Sequence, residues 1–96
     1  MLYAFICTDK PNSTDLRAKV RNDHLAYLGG LGAAMKLAGP FLDDAGGPIG
    51  SLVVIEAADR DAAGKIATAD PYNLAGLFSS VEIKAWRWTL KNPEAN

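Results

Sequence analysis

The chain has 96 residues, about half of them apolar and 22% charged, the proportions of a chain that folds around a core and not of one that stays disordered. Ten basic residues against eleven acidic ones give a net charge of −1, which supplies no cationic field for nucleic acid or an anionic membrane surface. A single cysteine excludes an intrachain disulfide, and the length suits one domain over residues 1–96.

The opening run Leu2–Thr8 is rich in aromatic and branched residues and closes in Asp9-Lys10-Pro11-Asn12, so it reads as a strand and a turn. It is too short to cross a bilayer and carries no positive leader, so no membrane partner and a cytoplasmic address are expected. Cys7 inside this run reads as a small core residue, not as a nucleophile.

A helix is predicted next. Asn12 or Ser13 can cap it, Asp15 suits its positive end, and Gly29, Gly30 and Gly32 mark its end. At helical spacing Leu16, Val20, His24, Tyr27, Leu28 and Leu31 share a stripe, while Arg17, Lys19, Arg21 and Asp23 fall mostly off it. The only histidine thus lies on the side that should be buried. Two readings fit: a core histidine bonded to backbone, or a proton-transfer group in an apolar cleft.

Ala33–Pro40 reads as a second strand, because Met35, Leu37 and Gly39 alternate with Lys36 and Ala38. Phe41–Gly50, with Asp43-Asp44 and glycines around Pro48, has loop chemistry. Ser51–Ala57 holds the apolar strand Leu52-Val53-Val54-Ile55. Asp59 can cap a short helix whose inner face is Ala62, Ala63, Ile66 and Ala67. Asp70-Pro71-Tyr72 should end that helix, Asn73–Leu77 should turn, and Phe78–Leu90 should form the last strand.

Strand, helix, strand, strand, helix, strand is the order of an α+β ferredoxin-like βαββαβ sandwich, an antiparallel sheet with two helices on one face. LYAFIC and LVVI are apolar on both sides, so the second sheet face also needs a cover. A second copy is the economical one, giving a homodimer packed through the sheet face. In the last strand Val81, Ile83 and Ala85 share one phase and Trp86, Trp88 and Leu90 the other, which predicts a bulge or bend near Ala85.

The glycines at 29, 30 and 32 make no dinucleotide fingerprint, since they follow a helix and Met35 occupies the third glycine's place. There is no phosphate-binding loop. One histidine and one cysteine offer no metal-ligand spacing, so neither metal nor organic cofactor is expected. His24 is the one side chain whose ordinary pKa suits acid–base work near neutrality, and Asp70 is the candidate to orient it. Asp70 also fits the plainer reading of a helix-end or turn residue bonded to local backbone.

From MLYAFICTDK through VRNDHLAYL, LAGPF, GSLVVIEA and ADPYNLAGLF to VEIKAW, nearly the whole chain resembles the YciI-like, YCII-related family, with R-x-x-H-L and D-P-Y the most specific anchors. The resemblance implies a dimeric ferredoxin-like α/β barrel and an active site with a His and Asp pair, which falls on His24 and Asp70. One relative's role in chloroaromatic breakdown implies an enzyme of lyase or isomerase type, dehydrochlorinase-like, moving a proton on a small aromatic or cyclic molecule. Arg21, Ser51 and Tyr72 are further candidates for substrate contact, against plainer roles as surface charge, strand-start hydroxyl and packed aromatic. Gly39-Pro40 is expected to shape the backbone beside the cleft. The alternative is a non-catalytic dimeric module that binds a small ligand or serves a partner.

Overall fold

The computed structural model describes residues 1–94. Its elements are β1 (Leu2–Asp9), α1 (Thr14–Gly30), a 3-10 turn (Gly32–Ala34), β2 (Met35–Leu42), β3 (Pro48–Glu56), α2 (Arg60–Ala69), α3 (Pro71–Leu74) and β4 (Phe78–Trp86). The strands form one antiparallel sheet in the order β2-β3-β1-β4, the ferredoxin-like α+β arrangement expected from the element order.

The two most apolar strands, β1 and β3, are the two central ones, which explains their composition. On one face Tyr3, Phe5 and Cys7 of β1 and Val53 and Ile55 of β3 pack with Leu28 of α1 and Ala63 and Ala67 of α2. The small side chains of α2 let its backbone approach the sheet closely. On the opposite face Ala4 and Val54 are buried, whereas Ile6, Leu37 and Leu52 are half-buried.

Local chemistry accounts for the helix boundaries. Asp59 Oδ1 accepts from the Ala62 amide at 2.8 Å and caps α2. Ser13 occupies the cap position of α1 without making the capping bond; its hydroxyl donates instead to the Pro11 carbonyl. Asp70 closes α2 and caps α3, with Pro71 at the first helical position, where its missing N–H is harmless. Residues 71–74 are therefore a helical turn where the sequence predicts the start of a loop. Gly76, at φ 77°, turns the chain into β4.

Several boundaries differ from expectation, and the second strand starts at Met35 because residues 33 and 34 belong to the 3-10 turn. β2 and β3 extend through Phe41-Leu42 and Pro48–Gly50, which read as loop because of their prolines and glycines. Pro40 is tolerated because β2 is an edge strand, and Pro48 because it opens β3. The last strand ends at Trp86, not Leu90. No bulge lies near Ala85: the β1–β4 register is regular from Leu2–Trp86 up to Thr8–Ser80 and shifts at the other end, between Thr8 and Asp9. The phase change read from Trp86 onward is the chain leaving the sheet, with Trp88 tilted against Trp86 at 5.8 Å.

Candidate active site

Two neighbouring elements, α1 and α3, bring the sequence's titratable candidates together. His24 Nδ1 lies 2.8 Å from Asp70 Oδ1 and 2.9 Å from Oδ2, although the residues are forty-six positions apart. Both are buried, at 6% exposure. Asp70 Oδ1 also accepts from the Tyr72 amide at 2.9 Å, so the local capping role and the histidine contact are held by one carboxylate. Burial and a fixed backbone donor leave this acceptor little freedom. Its ionised form takes Nδ1–H as donor and leaves Nε2 as the basic nitrogen.

Nε2 has no hydrogen-bond partner among the described residues. It is not one of the fully buried polar atoms either, since all of those are partnered. It therefore keeps some exposure on a residue that lines a cleft. His24 lines a cleft of about 360 Å³ between α1 and the β2–β3 edge of the sheet, within the size range of small-molecule sites. The cleft wall is mostly apolar, with Leu25, Leu28, Ala38 and Pro40 among its residues.

Tyr72 forms the floor beside the histidine. Its ring stacks on His24 with centroids 4.0 Å apart and planes 17° apart, and the Arg17 guanidinium sits 4.6 Å from the Tyr72 ring centre on the same cluster. Burial pushes the Tyr72 phenol above its ordinary pKa, against the opposing pull of Arg17 and Arg21.

Arg17 is the functional-looking residue that sequence reasoning missed. The stripe argument places it off the buried face, yet it is 6% exposed. Its Nε and Nη2 form a fork on Asp9 at 2.7 and 2.9 Å, and Nη2 also donates to Ser51 Oγ at 2.8 Å. Burial alone would lower the guanidinium pKa; the bonds to Asp9 outweigh it, and the net direction is upward. A usable signal was present: Arg17, Arg21, His24 and Leu28 follow one another at helical spacing and line the same cleft.

All five residues singled out from the sequence therefore meet here. His24 and Asp70 are bonded, Arg21, Ser51 and Tyr72 join His24 in the cleft wall, and Gly39-Pro40 borders it from β2. Cys7 is buried under the site and its thiol is pushed up to about 12, first by burial and then by the charge of Asp70. No group of three or more metal-ligating side chains occurs among the described residues.

A ferredoxin-like sheet with a buried histidine–aspartate pair beside an apolar cleft defines the class. The YCII-related domain profile matches residues 1–87, and the chain belongs to that family. Protein YciI of Escherichia coli O6:H1 is 38% identical over 95 residues, covering 91% of this chain and 97% of its own. Among solved structures, 5-chloro-2-hydroxyhydroquinone dehydrochlorinase from Burkholderia phenoliruptrix, in complex with 2,5-dihydroxybenzoquinone, superposes with a TM-score of 0.85 at 31% identity, covering 96% of this chain and 99% of that one. A NIPSNAP family protein from Agrobacterium tumefaciens, at 20% identity and a TM-score of 0.60 with 98% and 97% coverage, shares the fold. No helix among the described residues is long and apolar enough to cross a membrane.

Proposed function

We propose that this chain is a cytoplasmic, homodimeric enzyme of lyase or isomerase type, and that His24 transfers a proton on a small aromatic or cyclic substrate bound in the α1–sheet cleft. The observation that carries the reading is the His24–Asp70 pair: Nδ1 is engaged by a buried carboxylate, while Nε2 has no partner among the described residues on a side chain that lines the cleft. In that arrangement Nε2 accepts a proton from substrate, Asp70 stabilises the imidazolium that results, and the proton is returned at another atom. Arg21, Ser51 and Tyr72 contact the substrate.

The likeness to a dehydrochlorinase supports loss of hydrogen chloride from a chlorinated, polyhydroxylated ring as the reaction. Its balance suits a proton-transfer site. One proton goes to the carbon that carries chlorine, two ring hydroxyls give up protons, and chloride leaves with the C–Cl bonding pair. The two hydroxyl-bearing carbons are oxidised to carbonyls while the chlorine-bearing carbon is reduced to C–H, so the step calls for no external redox partner.

Incubation with a chlorinated trihydroxybenzene, followed by chloride release, tests the reading. The wild type should release chloride, and His24→Gln should lose at least about 10²-fold in kcat/KM, the usual worth of a general acid–base group. Equal rates in the two proteins would refute the catalytic role. Tight ligand binding with no turnover of any ring compound would instead support a ligand-binding module.

A further inference from the structure

The charged groups of the cleft are arranged with one sign facing the ligand. Arg17 and Arg21 line it, and among the described residues no Asp or Glu does. The two nearby carboxylates stand behind their partners: Asp9 is taken by the Arg17 fork and Asp70 by the His24 imidazole. Arg17 is thereby neutralised. Arg21, one helical turn further along α1, has no carboxylate within ion-pair distance among the described residues. Its positive charge reaches the cleft floor, where it acts on the Tyr72 phenol. A guanidinium at the rim of an apolar, partly water-excluded cleft favours an anion more strongly than the same group on an open surface.

We infer that the cleft selects its ligand as an anion, a planar ring carrying one ionised oxygen acid, with Arg21 as the residue that reads the charge. This rests on the small-molecule site proposed above and deepens it by naming the charge state of the ring it holds most tightly. In the reaction above that ring is the hydroxyquinone product, a vinylogous acid, since a trihydroxybenzene is uncharged at neutral pH. The two hydrogen-bonding ends of the cleft then have separate tasks. Arg21 pairs the ionised oxygen, and His24 handles a proton elsewhere on the same ring. Two chemical sources supply such an anion, an ionised ring hydroxyl conjugated to a carbonyl or a ring-bound carboxylate, and both present the oxygen geometry that a guanidinium grips.

Calorimetric titration with four probes separates them. Hydroxy-1,4-benzoquinone, a vinylogous acid that is ionised at neutral pH, is compared with its uncharged methyl ether, and benzoate with benzamide. At least one anion should bind about tenfold or more tightly than its neutral partner, the worth of one charge-assisted hydrogen bond, and its affinity should fall as salt is raised. Whichever anion shows the preference identifies the source. Arg21→Gln should remove it, and Arg21→Lys should restore part of it. Arg21 is exposed, so its replacement does not threaten the fold. Equal binding of charged and neutral partners, an unchanged preference in Arg21→Gln, or binding of neither anion overturns the inference. His24→Gln distinguishes this failure from that of the parent reading. It keeps the anion preference if only charge is read by Arg21, whereas undiminished turnover in His24→Gln would sink proton transfer and leave the charge preference standing.

Discussion

Tyr72 lies face to face with His24, 4.0 Å between ring centres, and it does so from a residue that is 1% exposed. The stack fixes the imidazole plane from below while Asp70 fixes it from the side. Tyr72→Ala should therefore cost about 3–5 kcal/mol of stability by leaving a cavity, together with most of the activity. Tyr72→Phe keeps the ring and should stay within about 1 kcal/mol of wild type, since only the hydroxyl is lost. Urea unfolding of both variants beside their kcat/KM checks the pair of outcomes.

Asp70→Asn separates the two tasks of that carboxylate. Asparagine still caps a helix, so stability should fall by no more than about 1 kcal/mol. The amide cannot balance an imidazolium, and kcat/KM should drop about 10²–10⁴-fold. Nitrogen-15 spectra of the His24 ring should show the neutral proton on Nδ1 in the wild type and a redistribution toward Nε2 in the variant. An unaltered tautomer would remove the orienting role of Asp70.

Arg17 and Asp9 form a buried ion pair, with side chains 8% and 6% exposed. Removing one member strands the other, so Arg17→Met or Asp9→Asn alone should each cost about 3–5 kcal/mol. The double variant should cost clearly less than the sum, because neither charge is then left buried and alone. A double-mutant cycle in guanidinium reads the difference, and strict additivity would show that the fork contributes nothing specific.

This pair also marks the limit of what the sequence discloses. The His24–Asp70 partnership is legible because R-x-x-H-L and D-P-Y are family motifs; spacing alone leaves each residue with a plainer alternative. The four strands are legible because β1 and β3 are apolar on both faces. Arg17 is not, since helical periodicity assigns polar residues to the outside and cannot foresee that Asp9, at the end of β1, waits beneath it. Phe41, Leu42 and Pro48 escape for a related reason. Proline and glycine signal loops until the strand order shows β2 at an edge.

Glycine substitutions should have opposite signs in two elements. Gly29 lies within α1, has nothing within 4 Å of where a Cβ would stand, and has no positive φ. Gly29→Ala should stabilise by roughly 0.5–1 kcal/mol through helix propensity. A Cβ at Gly50 would run into the Cys7 carbonyl oxygen, which the β1–β3 ladder holds in place. Gly50→Ala should destabilise, and thermal melts of the two proteins should move in opposite directions.

Alkaline pH should weaken the fold. The Cys7 thiol, with an ordinary value of 9.0, is pushed to about 12 by burial and by Asp70, and burial raises the Tyr27 and Tyr72 phenols from 10.0. In each case the native state holds its proton where the unfolded chain has released it. Stability conferred by these groups is complete below about pH 9 and declines as pH rises toward 12. Urea midpoints should be flat between pH 7 and 8.5 and fall beyond 9, with a shallower decline in Cys7→Ala.

The proposed homodimer has a direct test in the sheet face opposite α1 and α2. Ile6, Leu37 and Leu52 are only half-buried there, flanking the buried Ala4 and Val54, and an apolar face of this kind is the usual seat of a two-fold contact. Light scattering should give about twice the 10.2 kDa chain mass at micromolar concentration. Ile6→Lys places a charge among these apolar side chains, where a partner's face would have to bury it. It should yield a folded monomer with the far-ultraviolet circular dichroism of the wild type. A wild type that stays at one chain mass across this range would remove the dimer and leave those three side chains as ordinary exposed apolar surface.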